Sequence, residues 1–167
     1  NGIFGAHDTH LPIDLYKNHT ALSKPGPRLR ELSKKIKETI PIHQNGGLDI
    51  LHELSTRILE SIKYSKGKTD INTTAEIAME IGAGVCQDHT HAFITSARLL
   101  GFSSRYVSGY LSNGKNETQV ATHAWAEVYI TGLGWVGFDI SNSIAPDERY
   151  VRLATGFDYA DIIPISG

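Results

Sequence analysis

The sequence changes period at Gly101. Before it, apolar residues recur at helical spacing; after it, they alternate every second residue. Helices first and strands afterwards is the order of an α+β fold. It excludes the strand–helix alternation that builds a doubly wound parallel sheet. A chain of 167 residues has room for one domain of ordinary size, with a core that needs no disulfide or metal to close it.

Pro27 suits the first turn of a helix, and Leu29, Leu32, Ile36 and Ile40 carry a helical stripe as far as Pro41. A second helix is predicted after Gly46-Gly47. Leu48, Leu51, Leu54, Ile58, Leu59 and Ile62 form its apolar side, with Glu53, Arg57 and Glu60 opposite. Residues 65–72 read as a polar loop. Thr73-x-x-Glu76 has capping-box spacing and opens the short helical stretch AEIAMEI, which Gly82 and Gly84 interrupt. From Cys86 to Leu100 helical spacing returns, with Phe93, Ala97 and Leu100 on one face and Gly101 as the stop. Residues 1–26 show no period and read as an extended lead-in; residues 27–167 form the main domain.

Residues 105–111 (RYVSGYL), 123–130 (HAWAEVYI) and 135–139 (WVGFD) are predicted strands, the first ending in the turn-like Ser112-Asn113-Gly114-Lys115. Residues 150–154 and 162–165 add one or two more. The expected architecture is N-terminal helices, with the Cys86 helix packed on an antiparallel sheet. On the second strand residues 123, 125, 127 and 129 share a face; on the third, 135, 137 and 139 do. A three-residue loop of Ile130-Thr131-Gly132 sets His123 directly opposite Asp139, with Cβ atoms about 4.5–5.5 Å apart. A register two residues away keeps both on one face as diagonal neighbours.

Composition narrows the chemistry. One cysteine closes no internal disulfide and builds no multi-cysteine zinc site. A net charge of -2 and a pI near 6.5 argue against a dedicated nucleic-acid partner. No run approaches the roughly 20 apolar residues of a membrane helix. The Asn-x-Ser/Thr triplets at Asn18, Asn72 and Asn116 read as ordinary loop sequence. The chain opens on Asn1 rather than Met and is expected to be a processed or excised piece.

A lone cysteine is usually a small buried hydrophobe, but the context of Cys86 points elsewhere. Gly82-Ala83-Gly84-Val85-Cys86-Gln87 places the thiol after a glycine-rich turn, at a helix start. A helix N-terminus favours the thiolate, and its free N–H groups hold an oxyanion. Thiol, imidazole and orienting carboxylate form the triad arrangement of nucleophilic acyl transfer.

GAGVCQDHTHAF, RYVSGYL, THAWAEVYITGLGWVGFD and GFDYADIIPISG resemble successive motifs of the bacterial transglutaminase-like domain family, within the papain-like cysteine peptidase superfamily. The resemblance runs from about Leu29 to the C-terminus and is densest between Gly82 and Asp161. It implies that Cys86 is the nucleophile, His123 the general base and Asp139 the orienting acid. It also implies a cysteine-bearing helix packed on an antiparallel sheet, and no cofactor or metal. Members often carry a small β domain before the core, which makes residues 1 to about 22 the remnant of one.

Gln87 and Asp88 follow the nucleophile as in the family and set the helix start or line the cleft. His91 is either a cleft residue or a packed histidine. His89 stands where the family often has an aromatic, and no role is assigned to it. Tyr64 is either a hydrogen-bond donor near the nucleophile or an ordinary tyrosine at a helix end, the latter favoured, and Trp125 and Trp135 belong to the sheet core or the cleft wall. Asp139 is followed by Ile140-Ser141-Asn142 where the family usually has Pro-Thr-Asn, which keeps Asn142 but not the proline. Three related classes do not fit. Peptide N-glycanases need paired cysteines, arylamine N-acetyltransferases an Arg-Gly-Gly ahead of the cysteine, and calcium-dependent transglutaminases extra β domains.

The expected activity is cysteine-dependent acyl transfer on peptide or amide substrates through a thioester, with hydrolysis favoured. The alternatives are transglutaminase-type cross-linking to an amine and a catalytically silent peptide-binding module. The expected partner is a peptide or protein substrate, with neither nucleic acid nor membrane involved, and the expected location is cytoplasmic.

Overall fold

The computed structural model describes residues 11–40, 47–112 and 120–162. Helix α1 (Pro27–Thr39) begins at the predicted proline, α2 (Leu48–Ser61) follows Gly47, and both bury the predicted stripes: Leu29 and Ile36 on α1, Leu51, Leu54 and Ile58 on α2. Strand β1 (Lys63–Tyr64), helix α3 (Ala75–Ile81) and strand β2 (Ala83–Gly84) lead into α4 (Cys86–Leu99). Strands β3 (Ser104–Ser112), β4 (Val120–Ile130), β5 (Gly134–Phe138) and β6 (Tyr150–Gly156) form an antiparallel sheet ordered β5-β4-β3-β6. The expected α+β architecture is the one observed.

Helices α1, α2 and α3 pack around α4, whose remaining side lies on β3 and β4. Every α4 residue from Asp88 to Arg98 is therefore buried, where the sequence suggested a single apolar face. Two of the buried hydroxyls of α4 are accommodated by local bonds. Thr90 Oγ1 donates to the Cys86 carbonyl and Thr95 Oγ1 to the His91 carbonyl. Such back-bonding to the preceding turn lets a hydroxyl enter a core without an orphaned donor.

The capping-box reading shifts by one residue. Thr74, not Thr73, caps α3 by accepting from Ile77 N–H, while Thr73 closes the preceding turn with Asp70. Glu76 turns away from its own helix. Its carboxylate accepts the Arg28 and Leu29 N–H groups at 2.8 and 3.2 Å, capping α1, whose own cap residue is a glycine without a side chain.

The lead-in is not wholly extended. Ile13–Lys17 form a 3-10 turn, and the Tyr16 ring stacks on Phe157 and meets Trp135 edge-on. Ile162 closes a second 3-10 turn, Tyr159–Ile162, rather than opening a strand. Residues 163–165 of that predicted strand, the Asn113-Gly114 turn and the Asn116 triplet lie outside the described residues. No described helix is long and apolar enough to cross a membrane.

Candidate active site

The β1–β2 ladder is two residues long and parallel, pairing Lys63 with Ala83 and Tyr64 with Gly84. It ties the exit of α2 to the entry of α4, so Cys86 starts its helix from a braced turn. Asp88 secures that start: its Oδ2 accepts Val85 N–H at 2.7 Å and Thr69 Oγ1–H at 2.6 Å. Gln87 Nε2 donates to the Ile71 carbonyl and pins the preceding loop. Both residues thus build the helix start. The first-turn N–H groups of an α-helix have no intrahelical acceptor, so the Cys86 thiol sits at the positive end of a helix axis.

The β4–β5 hairpin closes with Thr131-Gly132-Leu133 rather than Ile130-Thr131-Gly132. Ile130 pairs Gly134, and both Gly132 and Gly134 adopt positive φ. The register is two residues from the one predicted, which makes His123 a diagonal neighbour of Asp139. The diagonal contact still closes, with His123 Nε2 2.6 Å from Asp139 Oδ2. A carboxylate accepts, so Nε2 carries the hydrogen and Nδ1 is left to face Cys86.

Burial alone would depress the His123 imidazole, but hydrogen bonds with Asp139 and Cys86, and the charges of both, raise it to about 9. Burial would raise the Asp139 carboxyl, but bonds from His123, Tyr150 and Asn142 hold it below the ordinary carboxylate range. His123 and Asp139 are thus an imidazolium and a carboxylate near neutral pH, beside a half-buried thiol.

The structure brings Cys86, His123 and Asp139 together, with Tyr64 and Trp125 close by. Tyr64 is half exposed on β1, and burial and then the Cys86 charge raise its phenol. Trp125 is buried beside His123 and meets Tyr150 edge-on at 5.4 Å. His91 is not in the cleft. It is enclosed by β3 and the C-terminal turn, 5.1 Å from the Tyr106 ring, and accepts Tyr159 N–H at Nε2. Burial lowers its pKa to about 4, so it is neutral.

His89, to which the sequence assigned no role, bridges the site. One ring nitrogen bonds the Ile62 carbonyl at 2.7 Å and the other Ser141 Oγ at 2.8 Å, tying the turn after Asp139 to the end of α2. Tyr150 was also missed: its hydroxyl donates to Asp139 Oδ2 at 2.6 Å from the far side of β3. One signal lay in the sequence, a glycine inside the strand RYVSGYL, which marks a close approach. A Cβ at Gly109 would lie 2.1 Å from the Val151 carbonyl oxygen and 2.6 Å from the Trp125 ring. Gly109→Ala is expected to cost about 3 kcal/mol in urea unfolding, through the clash and the displaced Trp125.

The family model for the transglutaminase-like superfamily matches residues 32–140. Uncharacterized proteins of Mycobacterium bovis and Mycobacterium tuberculosis are 35% identical over 130 residues, covering 72% of this chain and 41% of theirs. The chain therefore spans about two fifths of the length of these curated relatives. A candidate cysteine protease from Cytophaga hutchinsonii, known from a crystal structure, superposes with a TM-score of 0.75 at 27% identity, over 93% of this chain and 50% of that one. The periplasmic domain of TgpA from Pseudomonas aeruginosa shares the fold, with a TM-score of 0.59 at 18% identity over 77% of this chain and 46% of that domain. That likeness lends no support to a cytoplasmic location, since the TgpA domain is periplasmic. On the match over residues 32–140 and the fold that carries it, the chain belongs to the transglutaminase-like superfamily.

Proposed function

We propose that this chain catalyses cysteine-dependent acyl transfer on peptide or amide bonds through a thioester, with water as the usual acceptor. The observation that carries the reading is the His123 ring, held between the Asp139 carboxylate and the Cys86 thiol at a helix N-terminus. Nδ1 of His123 holds the proton taken from the Cys86 thiol, so the imidazolium is paired with a thiolate, and the thiolate attacks the carbonyl carbon. The oxyanion forms beside the first-turn N–H groups of α4, where one such donor is worth about 10²–10³ in rate. Collapse breaks the C–N bond, His123 returns its proton to the leaving amine, and the thioester remains. Water then gives a proton to His123 and its oxygen attacks the thioester, releasing the acid and the thiolate. No step calls for a cofactor.

Transamidation differs only in the second acceptor. Hydrolysis is favoured by the half-buried Cys86, with the half-exposed Tyr64 beside it, which puts the thioester within reach of water, and by the similarity to the Cytophaga candidate protease. A peptide library incubated with and without a primary amine, and read by mass spectrometry, is expected to yield cleaved products in both arms. Products that form only with the amine would establish transamidation. No product in either arm, with Cys86 alkylated no faster than free cysteine, would leave the silent peptide-binding module. For the peptide found, kcat/KM is expected to fall as pH rises through about 9, where His123 loses the proton it must give to the leaving amine. The contribution of the raised His123 to stability follows the same sign. It is complete below the ordinary histidine range, and it is lost on passing about 9.

A further inference from the structure

Three side-chain donors converge on one oxygen of Asp139. His123 Nε2–H and Tyr150 Oη–H each reach Oδ2 at 2.6 Å, and Asn142 Nδ2–H reaches it at 2.7 Å. Among the described residues, Oδ1 accepts the Asn142 backbone N–H alone, at 3.2 Å. A carboxylate oxygen offers two lone-pair directions, so three donors on it divide its acceptor strength. Tyr150 comes from furthest away. It opens β6, on the opposite side of β3 from His123, and its ring is braced edge-on by Trp125 above the space Gly109 leaves.

We propose that Tyr150 is a positioning residue that acts through Asp139. Its hydroxyl draws off part of the carboxylate's hold on His123, and so sets the pH at which the imidazolium gives up its proton. The proposal rests on the acyl-transfer reading above. The groups facing the His123–Asp139 pair are few. Cys86 comes from the start of α4. His89 comes from the same helix through Ser141, and burial holds it below its ordinary range. Asn142 comes from the turn after Asp139. Arg149, next to Tyr150 in the chain, is bound to Asp147. Burial, and then Asp139, raise the Tyr150 phenol, so it stays protonated and donating wherever the imidazolium titrates.

Removing the hydroxyl leaves His123 to share Oδ2 with Asn142 alone, and so strengthens the carboxylate's hold on it. Tyr150→Phe keeps the ring against Trp125 and is expected to raise the His123 midpoint by roughly half a pH unit, read from its ring protons by NMR titration. Asn142→Ala takes a donor from the same oxygen without touching β6. It is expected to shift the midpoint the same way, and it keeps the test open if Tyr150→Phe lowers the Tm. A His123 midpoint in Tyr150→Phe that is unchanged or lowered, with Asn142→Ala behaving alike, overturns the proposal and leaves the acyl-transfer reading standing. That reading fails separately, and the proposal with it, if wild-type His123 titrates at its ordinary value and iodoacetamide labels Cys86 no faster than free cysteine.

Discussion

Cys86→Ala is expected to abolish acyl-enzyme formation and to lower kcat by at least about 10⁴-fold, because the covalent route has no second nucleophile. Cys86 is the chain's one cysteine. What survives is the rate that binding and the first-turn N–H groups of α4 supply to a direct attack by water, about 10³–10⁴ over the uncatalysed reaction in triads of this kind. The fold should barely register the change. Cys86 is half-buried at the rim of the core, and alanine removes only a sulfur, a cost of about 1 kcal/mol. His123→Ala should fall nearly as far, since it removes the proton acceptor. Combining the two should cost little more than either alone, because groups that act as one unit are not additive. Intact-mass analysis after mixing with a cleaved peptide checks the thioester directly. An adduct on the alanine variant would mean that another group attacks, and Cys86 would lose its role.

Which parts of this site were legible in the sequence follows from the range of the interactions involved. Parity along β4 and β5 is local, and it placed His123 and Asp139 on one face although the hairpin loop was assigned one residue early. A shift of one in the loop moves the register by two, and a shift of two preserves the face. The motif around Cys86 was equally local, a turn and a helix start within six residues. Tyr150 was not legible, because its contact with Asp139 needs β6 to return beside β3, and nothing near residue 150 records that pairing. The burial of α4 on all sides was hidden for a related reason. His89, Thr90, His91, Thr95, Ser96 and Arg98 are residue types that usually stay at the surface, whereas most of them find partners in the core. Residues 11–26 lack any period because partners elsewhere hold them: Arg98 donates to the Tyr16 carbonyl and to Ser23 Oγ, Thr95 to the Ser23 carbonyl, and Asp158 accepts from Thr20.

Arg98→Met is accordingly expected to destabilise the fold by about 3–5 kcal/mol, a large share of the 5–15 kcal/mol typical of a domain. Arg98 is only 4% exposed. Burial lowers its pKa to about 10, against the pull of Asp158 and Asp161, so it is charged at neutral pH. Its Nε donates to the Tyr16 carbonyl at 3.0 Å and Nη1 to Ser23 Oγ at 2.8 Å, which fastens the N-terminal segment to α4. Nη2 donates to the Ser104 and Phe157 carbonyls at 2.9 and 2.6 Å, which joins the start of β3 to the C-terminal turn. Methionine fills much of the same space, so the loss is one of bonds rather than of volume. Three carbonyls lose this donor, that of Ser104 in the core and those of Tyr16 and Phe157 half-buried, and the buried Asp158, held by Thr20 and Ala160 N–H, loses the charge of Arg98. Lysine should not rescue it, because a single ammonium cannot span carbonyls that a planar fork reaches from several sides. Urea unfolding measures the total, and hydrogen exchange across residues 11–26 shows whether that segment opens first. If only the segment frays while the global midpoint stays, Arg98 is a strap and not a core member. Because it sits at the opposite end of α4 from Cys86, activity per folded molecule should be unchanged in either case, which separates a loss of fold from a loss of chemistry.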